Sequence, residues 1–183
     1  MKEMLKLGLV LALFAGISCV ALALVNSITA PAIAEAAQRE LEAGLSIVFD
    51  GADSFEEIAG AVPALEGTVA LDGLYAAKKD GKVIGAVAKV TGPTYDKATI
   101  LVGVSADRKI TGVHILSISD TAGFGQKATE PKFYEQFAGM SATLAFTPKE
   151  NFDAISGATI TTNGFAALLR QATATACSYL DAN

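Results

Sequence analysis

Hydrophobic residues are distributed unevenly along the chain. Residues 7–25 form a run without a charge or a proline. At a rise of about 1.5 Å per residue, a helix of that length spans roughly 28 Å, which is close to the hydrocarbon thickness of a bilayer. The run is also longer than the core of about 7 to 15 residues that is usual in cleaved secretory signals. We therefore predict one transmembrane helix within residues 1–30.

The charges on either side of this run predict its orientation. Lys2 and Lys6 precede the run, whereas Glu35, Glu40 and Glu42 follow it with a single arginine among them. Because positive charge collects on the cytoplasmic side of a membrane helix, we expect the N-terminus in the cytoplasm. The chain is then a single-pass protein of the cell (inner) membrane, with its main domain outside the cytoplasm.

Residues 31–67 are expected to form a helical stalk or lead-in to the main domain. Residues 32–45 are rich in Ala, Glu and Leu and almost free of β-branched residues, so they predict a helix that begins after Pro31. A shorter helix, capped by its serine, is predicted over residues 54–58.

From residue 68 onward the pattern becomes typical of β-strands. Residues 68–77 and 82–91 flank an Asp-Gly pair, which is a strong hairpin signal. Residues 98–105 and 109–117 are rich in Val and Ile and are separated by three residues, so they predict a second antiparallel hairpin. We expect a sheet of about four strands.

The part of the chain that follows the hairpins predicts a glycine loop and two helices. The loop covers residues 121–125, a short helix with a proline in its first turn covers residues 131–137, and a closing helix covers residues 162–180. Strands grouped between helices are typical of an α+β fold. We therefore predict an α+β domain over residues 68–183, with an antiparallel sheet of two hairpins flanked by helices.

Composition and charge exclude several kinds of function. The 183 residues suffice for one domain with a core, and the net charge of −5 comes without clustered Lys and Arg. Binding of nucleic acid through its phosphates is therefore not expected. Cys19 lies in the apolar run and Cys177 near the C-terminus, so we expect both to stay unpaired. Two isolated cysteines hold neither a structural zinc ion nor an iron–sulfur cluster, and no metal site is predicted.

The segment with the most distinctive chemistry is residues 153–159, Asp-Ala-Ile-Ser-Gly-Ala-Thr, directly before the closing helix. Ser156 and Thr159 supply hydroxyls, while Gly157 and Ala158 let a ligand approach the backbone. A helix start carries unpaired N–H groups and partial positive charge, which suits a phosphate. On residue chemistry alone, the favoured alternative is that the hydroxyls only cap the helix.

The same segment resembles the flavinylation motif of the FMN-binding domains in Rnf complexes and Na⁺-translocating NADH:quinone reductases. The resemblance implies that a separate FMN transferase, acting outside the cytoplasm, joins FMN to Thr159 through a phosphoester. The order of anchor, hairpins, glycine loop and motif extends the likeness over nearly the whole chain. The residues of this segment that the resemblance implies as cofactor-binding are Asp153, Ser156, Gly157, Ala158, Thr159 and Thr161.

The glycine loop adds to the resemblance but departs from it in part. In the G-type member of Rnf complexes, which the chain is similar to in length, the loop is usually Glu-Thr-Pro-Gly-Leu-Gly. Here residues 120–125 are Asp-Thr-Ala-Gly-Phe-Gly. Thr121, Gly123 and Gly125 match, and Phe124 is expected to pack against the flavin ring, so all four are candidate cofactor-binding residues.

The resemblance implies an electron-transfer subunit of a membrane-bound Rnf-type ferredoxin:NAD oxidoreductase complex coupled to ion translocation. Its partners are then the other membrane and peripheral subunits. No catalytic side chain is predicted, because electron transfer through a flavin needs no nucleophile. Lys127 and Lys132 flank the glycine loop, and His114 is expected to be a packed or surface residue. Two alternatives stay open: the C-type member of Na⁺-translocating NADH:quinone reductase, and a membrane-anchored binding module without redox function.

Overall fold

The computed structural model describes residues 2–58 and 68–182. The chain divides into two compact units, Met1–Glu40 and Leu41–Asn183. The first unit consists of the greater part of helix α1 (Lys2–Val48), whose residues there are exposed. Within the described part of the chain, α1 is the one helix that is long and apolar enough to cross a membrane.

Helix α1 contains Pro31, so the prediction of a new helix beginning after this proline is wrong. A proline removes one hydrogen bond of the helix, and long runs of good helix formers on both sides favour its continuation. Nearby hydroxyls also bond to helix carbonyls: Ser27 donates to Leu24 (2.8 Å) and Thr29 donates to Val25 (2.9 Å). The predicted helix is therefore the second part of α1.

The second unit contains an antiparallel sheet, which has five strands in the described residues, in sequence order. The strands are β1 (Ser54–Glu57), β2 (Ala70–Lys79), β3 (Lys82–Pro93), β4 (Lys97–Ser105) and β5 (Ile110–Ile118). Both predicted hairpins are confirmed, β2 with β3 and β4 with β5. Asp80 and Gly81 have φ of 50° and 74°, as both central residues of a type I′ hairpin turn require.

Strand β1 corrects the prediction of a helix over residues 54–58. Glu57 lies opposite Tyr75 of β2, and the Ile58 N–H donates to the Leu74 carbonyl at 2.9 Å. Ser54, Glu56 and Glu57 favour a short helix locally. The edge of β2, however, has unpaired backbone N–H and C=O groups, and an extended segment forms hydrogen bonds with them. Residues 59–67, the end of the predicted lead-in, lie outside the described residues.

After the sheet, the chain forms a 3₁₀ helix (Gly125–Thr129), helix α2 (Pro131–Tyr134), a second 3₁₀ helix (Glu135–Phe137) and helix α3 (Thr159–Ala182). The predicted short helix is confirmed as α2 together with the 3₁₀ turn that continues it. The closing helix is also confirmed, but it begins three residues earlier than predicted. Thr159 is therefore the first residue of α3.

Helix α3 packs against β3 and β4 on one face of the sheet. Phe165, Leu168 and Leu169 of α3 are fully buried there. The rings of Phe133, Phe137, Phe152 and Phe165 also pack edge to face, with centroids 5.1–6.4 Å apart. Burying each such side chain stabilises the fold by about 1.5–3 kcal/mol, and the cluster fixes the start of α3 against the loops before it.

The opposite face of the sheet is covered by the last turns of α1. Leu45 and Val48 are buried there with Leu101 of β4. A Cβ placed on Gly44 would lie 2.7 Å from Leu101 Cδ1 and 3.0 Å from His114 Cδ2, so glycine allows the helix to approach the strands. His114 is half-buried on β5, in agreement with a packed histidine.

Candidate functional site

The segment that resembles a flavinylation motif forms a tight turn directly before α3. The Ala158 N–H donates to the Ile155 carbonyl at 3.1 Å, so Ser156 and Gly157 are the central residues of the turn. Gly157 has a φ of +79°, a conformation that a side chain disfavours and that type II turns require at this position. The turn is tied to α3 by Thr162, whose hydroxyl accepts from the Ile155 N–H at 3.1 Å.

Thr159 and Ser156 are exposed, and neither hydroxyl forms a hydrogen bond with another described residue. Neither side chain therefore acts as the helix cap that residue chemistry alone favoured. Thr161 is different: it is 1% exposed and its hydroxyl donates to Asp120 at 2.6 Å. Of the two threonines at the start of α3, Thr159 presents a free hydroxyl and Thr161 does not.

The first turn of α3 leaves hydrogen-bond donors unused. The backbone N–H groups of Thr159, Ile160 and Thr161 make no hydrogen bond to any described residue. Ala158, which precedes the helix, has no side-chain oxygen to accept from them. Three such donors at the positive end of a helix of 24 residues form a favourable environment for a phosphate group.

The glycine loop and the motif turn meet in one cavity of about 410 Å³. The residues that line it are Tyr95, Thr121, Phe124, Gly125, Gly157, Ala158, Thr159, Ile160 and Thr161. The structure thus brings together seven of the ten residues that the sequence proposed. Gly123 does not line this cavity, although its φ of +78° shapes the loop.

The remaining two predicted residues, Asp153 and Ser156, line an adjoining cavity of about 480 Å³ that shares Gly157 and Thr159 with the first. Lys132 and Lys149 also line it. Lys127 lies beside a third, smaller cavity next to Lys132, Asp153 and Ser156. Two lysines and one carboxylate therefore line the cavity on the polar side of Thr159, and Lys132 rather than Lys127 borders a cavity that Thr159 also lines.

Three large apolar side chains form the rim of the first cavity. Tyr95, Phe124 and Ile160 are 65%, 55% and 60% exposed, respectively. The Phe124 ring also lies against the motif turn, 3.5 Å from the position that a Cβ on Gly157 would occupy. Exposing three such side chains at one place is unfavourable unless a flat apolar ligand or a partner covers them.

Sequence reasoning missed Tyr95 and Ile160. Tyr95 occupies the turn between β3 and β4, in the segment Pro-Thr-Tyr-Asp. An aromatic residue between two predicted strands is the feature of the sequence that could have indicated it. Ile160 directly follows Thr159 in the first turn of α3. Its exposure depends on which side of this turn faces away from the core. Both depend on how α3 meets the β3–β4 turn.

Asp120 is the one buried carboxylate among the described residues, with 2% of its surface exposed. Its Oδ1 accepts hydrogen bonds from Thr94 Oγ1 (2.5 Å) and the Asp96 N–H (2.9 Å). Its Oδ2 accepts from Thr161 Oγ1 (2.6 Å) and the Tyr95 N–H (3.2 Å). Burial by itself raises the pKa of Asp120, but the four hydrogen bonds outweigh burial and hold the pKa below its usual value.

The arrangement suits a ligand with a phosphate at one end and a flat apolar ring at the other. The phosphate end is served by the N–H donors of α3 and by the two lysines of the adjoining cavity. The ring end is served by the apolar rim and by glycines that permit close approach. Between the two lies a threonine hydroxyl that is free to form an ester bond.

Two family models match the chain. The model described as the FMN-binding domain matches residues 94–174, and the model described as the RnfG N-terminal region matches residues 1–48. The first match includes the apolar rim, Asp120 and the motif turn. The second ends at the last residue of α1.

Proteins of similar sequence match most of the chain. It is 35% identical over 179 residues to the G-type component of the Na(+)-translocating ferredoxin:NAD(+) oxidoreductase complex of Acetobacterium woodii, covering 87% of this chain and 85% of that protein. It is 34% identical over 168 residues to the G-type component of an ion-translocating oxidoreductase complex of Cereibacter sphaeroides, covering 84% of this chain and 75% of that protein.

A solved structure has a similar fold. The crystal structure of Shewanella oneidensis NqrC superimposes with a TM-score of 0.52, covering 75% of this chain and 73% of that chain. The sequences are 19% identical, so this likeness concerns the fold alone.

Proposed function

Since the chain belongs to the RnfG family, the G-type components of Rnf ion-translocating oxidoreductase complexes, we propose that it passes electrons through an FMN joined covalently to Thr159. It is an electron-transfer subunit of such a complex, with its FMN-binding domain at residues 94–174. The observation that carries the proposed attachment is the free hydroxyl of Thr159, exposed beside three unpaired N–H donors at the start of α3.

The residues around Thr159 fit the parts of an FMN molecule. The N–H groups of α3, with Lys132 and Lys149 nearby, would hold the phosphate group. Phe124, Tyr95 and Ile160 offer apolar surface to the ring system. The glycines of the loop and of the motif turn would let the cofactor approach the backbone. Thr121 lines the same cavity and offers a hydroxyl to the cofactor.

Bound FMN supplies the redox chemistry, because its ring system accepts and releases electrons. The side chains of this protein therefore need to bind and orient the cofactor and to exclude water from it. None has to serve as a nucleophile or a general base for electron transfer, and we propose no catalytic residue. The positive charges of Lys132 and Lys149 favour binding of a ligand that carries negative charge.

Asp153 and Ser156 are proposed to contribute mainly to recognition by an FMN transferase. The backbone of Asp153 is held by Gln136, whose Oε1 accepts from the Asp153 N–H at 2.6 Å and whose Nε2 donates to the Asp153 carbonyl at 3.4 Å. These bonds fix the segment and leave the Asp153 side chain exposed. An exposed carboxylate and an exposed hydroxyl before Thr159 are accessible to a modifying enzyme.

Helix α1 is proposed to anchor the protein with its N-terminus in the cytoplasm and the FMN-binding domain outside. The positive charges at Lys2 and Lys6 support this orientation. The other membrane and peripheral subunits of the complex are then the electron donor and acceptor of this protein.

Intact-protein mass spectrometry tests the proposed attachment. The full-length chain, produced in cells that contain an FMN transferase, should be heavier than its sequence mass by one FMN less one water. Thr159→Ala should remove this increment, while Thr159→Ser should keep at least part of it. Thr129→Ala is the matched control, because Thr129 is an exposed threonine outside the cavities and should leave the increment unchanged.

Two outcomes would contradict the proposal. Retention of the full increment in Thr159→Ala would place the attachment on another residue. A wild-type chain of unmodified mass, without yellow colour or flavin fluorescence after denaturation, would favour a membrane-anchored binding module without redox function.

A further inference from the structure

The environment of Asp120 joins three separate parts of the chain. Two of its four hydrogen-bond donors, the Tyr95 and Asp96 N–H groups, belong to the turn between β3 and β4. The Thr94 hydroxyl belongs to the same turn, and the Thr161 hydroxyl belongs to the first turn of α3. Asp120 itself lies just after β5 and directly before the glycine loop.

Each of these three parts supplies one wall of the first cavity. The β3–β4 turn supplies Tyr95, the glycine loop supplies Phe124 and Gly125, and the start of α3 supplies Thr159 and Ile160. The walls are distant in sequence, since 25 residues separate Tyr95 from Asp120 and 41 separate Asp120 from Thr161. The carboxylate of Asp120 is a group to which all three are directly linked.

Two glycines make this close approach possible. A Cβ on Gly125 would lie 2.5 Å from Asp120 Oδ2 and 2.6 Å from Thr161 Oγ1. A Cβ on Gly164 would lie 2.6 Å from the Pro93 carbonyl oxygen and 2.7 Å from Thr94 Cα. Any larger residue at either position would push the loop or the helix away from the carboxylate. Gly125 therefore lets the glycine loop approach the carboxylate itself, and Gly164 lets α3 approach the turn that donates to the carboxylate.

We propose that Asp120 is a positioning residue that holds the three walls of the cavity in register and so sets the surroundings of the flavin ring. The carboxylate is suited to this role, because its two oxygens accept all four bonds at once. An asparagine presents an NH₂ group in place of one oxygen, so it cannot accept from both backbone N–H groups and both hydroxyls. The part of this proposal that concerns the flavin rests on the proposed function.

Hydrogen–deuterium exchange tests the link between the walls without reference to the flavin. The full-length chain in detergent is compared in a Thr159→Ala background, which should carry no FMN, with and without Asp120→Asn. Exchange at the amides of Tyr95 and Asp96 should become about tenfold faster, because these N–H groups lose a charged acceptor. Asp96→Asn is the matched control: the Asp96 side chain is exposed, and the variant should leave exchange at Tyr95 unchanged.

The same substitution in flavin-loaded protein tests the effect on the ring. In Asp120→Asn with wild-type Thr159, quenching of flavin fluorescence by iodide should increase about threefold or more, and the visible absorption maximum of the flavin should shift. The far-ultraviolet circular dichroism and the mass increment should stay unchanged. A merely structural residue would alter stability but would leave the flavin of the folded protein in the same environment.

The two parts can fail separately. Unchanged exchange at Tyr95 and Asp96 would overturn the role of Asp120 whether or not the chain carries FMN. Faster exchange with unaltered iodide quenching and an unaltered flavin spectrum would overturn its role in setting the flavin's surroundings. Absence of FMN from wild-type protein would contradict the proposed function, while the exchange result would still decide whether Asp120 links the walls.

Discussion

The hydroxyl of Thr162 accepts a hydrogen bond from the Ile155 N–H at 3.1 Å. It also donates one to the Ala158 carbonyl at 2.9 Å, and Thr162 is 1% exposed. The two bonds connect the beginning and the end of the motif turn to the first turn of α3. Thr159 lies between these points, so the placement of its hydroxyl beside the helix N–H groups depends on a neighbouring threonine that is itself inaccessible.

Thr162→Val should therefore destabilise the motif turn. Valine has a similar shape but leaves the buried Ile155 N–H without its acceptor, which costs about 1–3 kcal/mol of unfolding free energy. Urea unfolding of the full-length chain in detergent measures this change. Thr175→Val is the control, because Thr175 is also buried on α3 but its hydroxyl only donates to the Gln171 carbonyl within the helix. An equal loss in both variants would contradict the special role of Thr162.

Acid should destabilise the domain through Asp120. The pKa of Asp120 in the folded protein lies below the value of about 3.9 that it has when unfolded. The unfolded chain then binds more protons near that pH, so the stabilisation is complete above about pH 5 and is lost progressively as the pH falls through the folded pKa. Unfolding free energies from about pH 7 to about pH 3 should fall less steeply in Asp120→Asn than in wild type. Equal slopes for wild type and Asp120→Asn would contradict the assignment.

Gly125→Ala should be more damaging than Gly123→Ala, although the two glycines belong to the same loop. A Cβ on Gly125 meets Asp120 and Thr161 within 2.6 Å, whereas a Cβ on Gly123 meets nothing within 4 Å and is disfavoured only by a φ of +78°. We expect a loss of about 1–3 kcal/mol for Gly125→Ala and about 1 kcal/mol for Gly123→Ala. Thermal or urea unfolding gives the order, and the reverse order would be inconsistent with the packing around Asp120.

Leu45→Ala should show that the end of α1 belongs to the folded domain. Leu45 is 4% exposed on the sheet, and its truncation should lower the unfolding free energy by about 2–4 kcal/mol. Ile47 lies two residues further along the same helix and is 61% exposed, so Ile47→Ala should change stability by less than about 0.5 kcal/mol. Similar effects of the two substitutions would mean that these turns of α1 do not pack on the sheet in solution.

Phe124→Ala should change the surroundings of the flavin with little change in the stability of the fold. Because Phe124 is 55% exposed, its removal should change the unfolding free energy of flavin-free protein by no more than about 0.5 kcal/mol. In flavin-loaded protein it should make the ring more accessible to iodide. Val83→Ala, at a partly exposed position on β3 that does not line the cavity, is the control. Unaltered quenching in Phe124→Ala would remove Phe124 from the proposed ring contacts.

The features that could be predicted from the sequence are those whose signals are local. An uncharged run of sufficient length specifies a helix that can span a membrane, since the requirement depends only on length and polarity. The Asp80-Gly81 pair specifies a hairpin, because both residues tolerate positive φ. The small and hydroxyl-bearing residues up to Thr159 indicated that a helix starts nearby, although α3 begins three residues earlier than predicted. Each of these signals lies within one continuous segment of the chain.

Which residues meet in the folded domain depends on contacts between distant parts of the chain. Residues 54–57 became a strand because the edge of β2, some twenty residues away, supplied hydrogen-bond partners that outweigh a weak helical preference. Tyr95 joined the cavity, and the Thr161 hydroxyl became unavailable to a ligand, because both residues bind the buried carboxylate of Asp120. A buried charge requires hydrogen bonds from whichever donors the fold brings near it, and the local sequence does not specify those donors.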